Sequence, residues 1–326
     1  MRNASPMQEV SALHGAYDST AVLVTGGAGF IGSHLVEALI ALGARVRVLD
    51  DLSTGNRQNL TSCIDRIELM LGDIRDAEFC TRAAQSMNTI FHLAASVAVP
   101  DSLRDPDRTY AINLLGTSHI FEAARNASVA RVVYASSCAV YGDCSTMPLN
   151  ESHHGHLLSP YAVSKRGSEL CAEYAYAQQG VTSVGLRYFN VYGTRQRADG
   201  GYAAVIPKFI ADCRAGLAPQ VHGNGEQTRD FVHVSDVVRA NLLAGMQPNM
   251  TAEVINIGTG VSTSIQFLAE ETCRLVNPQL HPVNTEARPG DIPRSVCEPR
   301  LADRVLKWRA RTSLTQGLSM LMGAAG

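Results

Sequence analysis

A short apolar run, Ala21-Val22-Leu23-Val24-Thr25, breaks into glycines and then into a stretch with helical spacing. This junction constrains the chain more than any other feature. A β-branched, apolar run of this length bounded by glycine predicts a buried strand. From Phe30 to Leu42, the residues Ile31, Leu35, Leu39 and Leu42 recur on one stripe, which predicts a helix. Between them lies Thr25-Gly26-Gly27-Ala28-Gly29-Phe30-Ile31-Gly32. Gly27, Gly29 and Gly32 satisfy G-x-G-x-x-G, while Gly26, Gly29 and Gly32 satisfy G-x-x-G-x-x-G. Such a turn is tight and lets backbone approach a pyrophosphate closely, and the helix start offers N–H groups and a positive dipole end. A glycine string alone is weak, but Asp50 ends the next predicted strand, Arg45–Asp50, where a dinucleotide fold needs an acceptor for ribose hydroxyls. No arginine stands at that strand end, so NAD is expected rather than NADP. Gly72-Asp73-Ile74, after the third strand, is expected to meet the adenine, with a polar strand-end cap as the alternative.

The alternation continues with strands near Ile67–Leu71, Thr89–Leu93, Arg131–Ala135 and Ser183–Phe189, and helices over Ala77–Gln85, Tyr110–Arg125 and Tyr161–Gln179. Strand, helix, strand in this order implies an α/β class, a Rossmann-like doubly wound parallel sheet. After Asn190 the rhythm loosens, with glycine-bearing loops, a helix near Val205–Ala215, and a helix and strand at Val234–Met246 and Val254–Gly258. The expected organisation is an N-terminal extension over 1–20 and a cofactor domain over 21–190, with 233–261 returning to it. A smaller, interleaved α/β substrate domain takes most of 191–326.

The 326 residues are 45% apolar and 18% charged, which fits a buried core rather than a disordered chain. A formal net charge of -2 supplies no overall basic field for nucleic acid or anionic lipid. No apolar run suits a signal sequence or a membrane helix, so a cytoplasmic location is expected. Eight cysteines without a C-x-x-C pair read as buried, reduced thiols. The histidines of His153-His154-Gly155-His156 lack the carboxylate or thiol spacing of a metal site, so no metal is expected.

Ser159-Pro160-Tyr161-Ala162-Val163-Ser164-Lys165 opens a helix, and residues four apart share a face. A tyrosine, with a pKa of about 10, is a poor base at neutral pH. A neighbouring ammonium and a positively charged nicotinamide both favour its phenolate. The chain uses lysine only at 165, 208 and 307, arginine serving elsewhere, so a lysine placed four residues after Tyr161 is not a casual surface charge. Ser136 and Ser137 follow a strand at the sheet edge where such folds bind ligands, and Ser137 is placed to bond the same substrate oxygen as Tyr161.

These motifs stand beside His92-Leu93-Ala94-Ala95, Ser136-Ser137-Cys138-Ala139-Val140-Tyr141-Gly142, Leu186-Arg187-Tyr188-Phe189-Asn190-Val191-Tyr192-Gly193, Arg229-Asp230-Phe231 and Arg288-Pro289-Gly290-Asp291. With them the chain resembles the extended short-chain dehydrogenase/reductase family, and within it the UDP-hexose and UDP-N-acetylhexosamine 4-epimerases. The resemblance implies that Tyr161 takes the proton of the sugar 4-hydroxyl while hydride passes to NAD and later returns to the other face of a 4-keto sugar. It assigns Ser137 and Lys165 to the same centre, with Asn113 supporting it. It extends the cofactor site from Gly26, Gly29, Phe30, Ile31 and Asp50 to Asp51, Ser53, Thr54, Gly55, Asp73, Ile74, Leu93, Ala94, Ala95, Tyr188, Asn190 and Val191. For the UDP-sugar it implies phosphate contacts from Arg229, Arg288 and Asn190, a ribose contact from Asp291, and a uridine-side wall including Ala204, Val205 and Lys208. Ser295, Cys138 and Val97 would bound the sugar, and a small Ser295 leaves room for an N-acetyl group. Arg197 keeps a UDP-glucuronate 4-epimerase in view, since a uronate needs a cationic partner. A homodimer formed through the two long helices is a further implication.

Relatives that eliminate water or carbon dioxide need an acid just before the V-Y-G, and here those positions are Cys138 and Ala139. Two other readings stay open: a non-catalytic NAD-binding regulator, which would have no need of a base, and a net oxidoreductase of keto sugars.

Overall fold

The computed structural model describes residues 13–197, 204–287 and 290–323. Its centre is a seven-stranded sheet of β1 (Ala21–Thr25), β2 (Arg45–Asp50), β3 (Ile67–Leu71), β4 (Thr89–His92), β5 (Arg131–Ser137), β6 (Ser183–Tyr188) and β7 (Ala252–Ile257). The spatial order is β3-β2-β1-β4-β5-β6-β7 and every pairing is parallel. The chain therefore turns back between β1 and β4, and the crevice beyond their carboxyl ends is where folds of this topology hold ligands.

Alternation along β1 shows why the sheet is covered on both sides. Val22 and Val24 enter one apolar cluster and Leu23 the other, all without exposed surface. The first face packs helices α1 (Phe30–Ala41) and α5 (Val234–Met246), the second α2 (Ala77–Ala84), α3 (Gly116–Asn126) and α4 (Pro160–Gln179). Each fully buried valine or leucine contributes about 1.5 to 3 kcal/mol of transfer free energy. The segment after Asn190 gives α5 and β7 to this sheet. The helix Arg300–Leu306 and Trp308 join the first cluster as well, while Phe209, Val221, Phe231 and Leu268 form a third.

Three local features depart from the sequence reading. β5 continues through Ser136 and Ser137, which pair with Arg187 and Tyr188 of β6 instead of following the strand. The helix expected over Tyr110–Arg125 is split into Pro106–Tyr110, a wide turn at Ala111–Leu115, and α3. Such a turn holds an extra residue, and here it swings Asn113 inward until 1% of its surface is exposed. Finally, residues 13–17 are helical, and Tyr17 reaches the core, donating its hydroxyl to the Leu242 carbonyl at 2.8 Å. That end of the N-terminal extension packs onto the cofactor half.

Candidate active site

Two short elements converge at the carboxyl end of β5. Ser137 ends the strand in extended backbone, and its hydroxyl accepts from the Ala139 N–H at 3.1 Å. Facing it is the start of α4, fixed by a Ser159 side chain that accepts from the Ala162 N–H and by Pro160 in the first turn. Tyr161 is thereby held at the lip of the helix, where its phenol faces Ser137. One turn on, Lys165 is 5% exposed, and its ammonium donates to the Ala135 carbonyl at 2.9 Å, 5.9 Å from the centre of the Tyr161 ring.

The electrostatics differ from the sequence expectation of a phenol acidified by its lysine. Burial pushes the Tyr161 phenol up to about 12, with the Ser137 hydroxyl pulling the other way. Burial also pushes Lys165 down to about 8. Desolvation of the charged forms thus outweighs their mutual attraction in the protein by itself.

Asn113 closes the back of this centre. Its amide accepts from the Ser96 N–H at 2.7 Å and donates to the Ser96 carbonyl and to the Ser164 hydroxyl. Ser164 in turn donates to the Tyr161 carbonyl at 2.8 Å, so the loop after β4 and the lip of α4 are joined through one side chain. A second link was not read from the sequence. His92 lies between the hydroxyls of Thr25, at 2.7 Å, and Thr117, at 3.0 Å. Burial drives the imidazole down to about 3, so it stays neutral at working pH. The Thr25 hydroxyl also accepts from the Ala94 N–H, tying the Gly26 turn to the Leu93–Ala95 loop. The signal in the sequence was a polar residue at the end of each of two apolar strands.

The glycine turn has the shape of a cradle. Gly26 sits at φ +70, and a Cβ there would lie 2.7 Å from the Ala94 nitrogen; at Gly32 it would strike the Gly26 carbonyl. No side chain caps α1 at Gly29 and no acid stands in its first turn, which suits an anionic pyrophosphate. Asp50, 6% exposed, accepts from the Ala28 and Leu52 N–H groups at 2.9 and 2.8 Å, and Gly55 lies against its carboxylate. Asp51 accepts from Ser53 through both its N–H and its hydroxyl, in a turn beside Thr54. These residues fit a dinucleotide held by its pyrophosphate and a ribose. Asp73 is committed to Arg75 by a two-point ion pair, and Ile74 is buried beneath it, so the polar-cap alternative describes this strand end as well as an adenine contact does. The Tyr188 phenol points into the core, donating to Asn241 at 2.9 Å, and the backbone of Asn190 and Val191 pairs with Phe231 and Val232.

Beside the Ser137 end lies a cavity of about 150 Å³ lined by Cys138, Ala139, Asn190, Arg229 and Ser295 among others. Short-strand pairing assembles it, because Ser295 is the register partner of Arg229. The Cys138 thiol lies beside Ser295 and is pushed up to about 11 by burial, so it is a packing group and not a thiolate. Arg229 donates to the Thr228 and Ile292 carbonyls and pairs with Asp291 at 2.5 Å, so two residues assigned separate contacts lie together. Asn190 donates to the Asp230 carbonyl at 3.2 Å. Ala204 and Val205 open the Val205–Arg214 helix, and Lys208 on it is 45% exposed and pairs with Asp212 one turn on, as a solvated helix charge does. Val97 is 64% exposed and is not among the residues lining this cavity, while Arg288 lies outside the described residues. In the histidine cluster, His153 bonds the Asn150 amide and His156 pairs with Asp143.

With this geometry in place, comparison with known proteins is specific. The family model described as "Epimerase: NAD dependent epimerase/dehydratase family" matches residues 22–258. A UDP-glucose 4-epimerase of Mycolicibacterium smegmatis is 38% identical over 305 residues, covering 91% of this chain and 96% of that protein. The crystal structure of a Thermotoga maritima UDP-glucose 4-epimerase with UDP-glucose superposes with a TM-score of 0.88 at 35% identity, over 92% of this chain and 97% of that one. A UDP-N-acetylglucosamine 4-epimerase from Methanobrevibacter ruminantium, in complex with UDP-N-acetylmuramic acid, gives a TM-score of 0.89 at 34% identity, over 94% and 99%. The chain belongs to the NAD-dependent epimerase/dehydratase family, within the extended short-chain dehydrogenase/reductases.

Proposed function

We propose that this enzyme is a UDP-sugar 4-epimerase, inverting C4 through a transient 4-keto sugar, with substrates drawn from UDP-GlcNAc/UDP-GalNAc and UDP-Glc/UDP-Gal. The observation that carries this is the Ser137–Tyr161–Lys165 group beside a cavity whose near wall is Cys138 and Ala139. Tyr161 and Ser137 address one substrate oxygen, and Ala139 has no proton to give a leaving group, so redox at a single carbon is the chemistry this wall permits. NAD, held by the Gly26–Gly32 turn and Asp50, supplies a hydride acceptor and a positively charged ring. Tyr161 takes the proton of the 4-hydroxyl and returns it, Ser137 holds the 4-oxygen, and Lys165 adds positive charge behind them. Arg229 and Asn190 meet the diphosphate. Ser295, small and buried, leaves space for an acetamido group.

We further infer a cytoplasmic homodimer. Leu115, Leu170 and Tyr174, on and beside the helices that family members use to dimerise, are 50%, 51% and 61% exposed. No helix among the described residues is long and apolar enough to cross a membrane. The direct test is incubation of the purified enzyme with UDP-Gal, UDP-GalNAc and UDP-glucuronate without added NAD, followed by NMR. Formation of the C4 epimer is expected. No turnover of any sugar nucleotide, or one stoichiometric burst that needs added cofactor, refutes the reading.

A further inference from the structure

Behind the reacting pair lies a buried ionic cluster that the mechanism above does not use. Glu169 follows Tyr161 by eight residues on α4, about 12 Å along the helix. It is 1% exposed, yet its carboxylate accepts four hydrogen bonds from three side chains on three elements. The Ser136 hydroxyl of β5 donates to Oε1 at 2.6 Å. Arg187 of β6 donates to both oxygens, at 2.7 and 2.9 Å. Arg166, on the same helix, donates to Oε2 at 2.8 Å. Arg187 goes on to the Tyr141 hydroxyl at 3.0 Å, and Tyr141 donates to Asn256 of β7 at 2.5 Å, so the cluster reaches the wall of the substrate cavity.

The placement of Ser136 gives the cluster its meaning. It precedes Ser137 on the strand and is the register partner of Arg187. The Ser137 hydroxyl faces the Tyr161 phenol, so the distance between strand end and helix lip decides how closely the two meet a shared substrate oxygen. A helix packed on a sheet by apolar contacts alone is free to slide by fractions of an ångström; a carboxylate bonded to two neighbouring strands is not. We propose that Glu169 is a positioning residue for the reaction: its carboxylate fastens the strand end bearing Ser137 to the helix bearing Tyr161 and thereby sets how closely the Ser137 hydroxyl approaches the Tyr161 phenol. This rests on the reading of Ser137 and Tyr161 as reacting groups.

Arg187 and Arg166 hold the Glu169 carboxyl below its usual range despite burial, so it is ionised at working pH. Tyr134, buried on β5, feels the charges of Glu169, Arg187, Glu173 and Arg166. Around Tyr161 the facing groups are Ser137, Cys138 and Lys165.

Two variants separate positioning from stability. Ser136→Ala removes only the strand-to-helix bond and leaves the Glu169–Arg187 pair whole. Its Tm should stay within about 3 °C of wild type, as for loss of a single hydrogen bond. Its kcat should fall by roughly 3- to 30-fold, the range of a sub-ångström misplacement, with KM within about twofold. The Tyr161 phenol, followed by tyrosinate difference absorbance of the NAD-bound protein against Tyr161→Phe, should titrate at higher pH. The double variant Glu169→Gln/Arg187→Met removes the buried pair without stranding either charge. Recovery of Tm relative to Glu169→Gln, with kcat still low, supports positioning. The proposal is overturned if Ser136→Ala leaves both kcat and the phenol titration unchanged, or if kcat returns together with Tm in the double variant. Should wild type turn over no UDP-sugar, the functional reading falls while the phenol titration still decides this one.

Discussion

The Ser137 hydroxyl faces the Tyr161 phenol across the gap between a strand end and a helix start, and there pulls against the burial that raises the phenol to about 12. On the proposed reading, this phenol needs further positive charge, from Lys165 and a bound nicotinamide, to act as a base. Tyr161→Phe keeps the ring and removes the proton acceptor. Its kcat should fall by about 10²- to 10⁴-fold, the usual worth of a general base. Calorimetric titration should find NAD and UDP-sugar bound within about threefold of wild type, since the ring still packs. Wild-type turnover in this variant removes the tyrosine from the mechanism.

Lys165 carries a pH signature. Its ammonium is pushed from 10.5 to about 8, so the folded protein releases this proton more readily than the unfolded chain. Below pH 8 both states are charged and burial of the charge opposes folding. Between about 8 and 10.5 only the unfolded chain holds the proton, so stability rises with pH. Lys165→Met removes this dependence. Wild-type stability relative to the variant should increase by about 3 kcal/mol across that window, measured by denaturant unfolding at stepped pH. A flat difference would place the ammonium in a solvated site.

Asp50 has two tasks, since the carboxylate that would meet a ribose also accepts from Ala28 and Leu52. Asp50→Ala should lower stability by about 1 to 3 kcal/mol by leaving those donors unpaired. It should also weaken NAD by about tenfold or more and narrow the preference over NADP. Unchanged Kd values for both dinucleotides would show that the acceptor lies elsewhere.

Ser295 is paired with Arg229 in register and lines the cavity beside Cys138, so a larger side chain there would enter the cavity. Ser295→Tyr should reduce kcat/KM for UDP-GalNAc relative to UDP-Gal by roughly 10- to 100-fold, a size typical of steric discrimination in a pocket. An unaltered ratio would move the wall of the sugar pocket to another residue.

Sequence alone determined the parallel architecture, the glycine turn, Asp50 and the Tyr161/Lys165 pair. Each is written in local chemistry: a strand of valines and leucines, a turn only glycine can make, and two residues one helical turn apart. The tertiary structure decided what depends on distant segments meeting. It brought Ser295 beside Arg229 and set Asp291 on that same arginine. It turned Asn113 inward through a wide helical turn, and it gathered Glu169, Arg187 and Ser136 from three elements. It also reversed an expectation, because a phenol and an ammonium one helical turn apart promise mutual stabilisation, whereas their burial shifts each toward neutrality. Short-range pattern fixes backbone conformation, but desolvation and cross-strand register are properties of the packed whole, and no window of residues contains them.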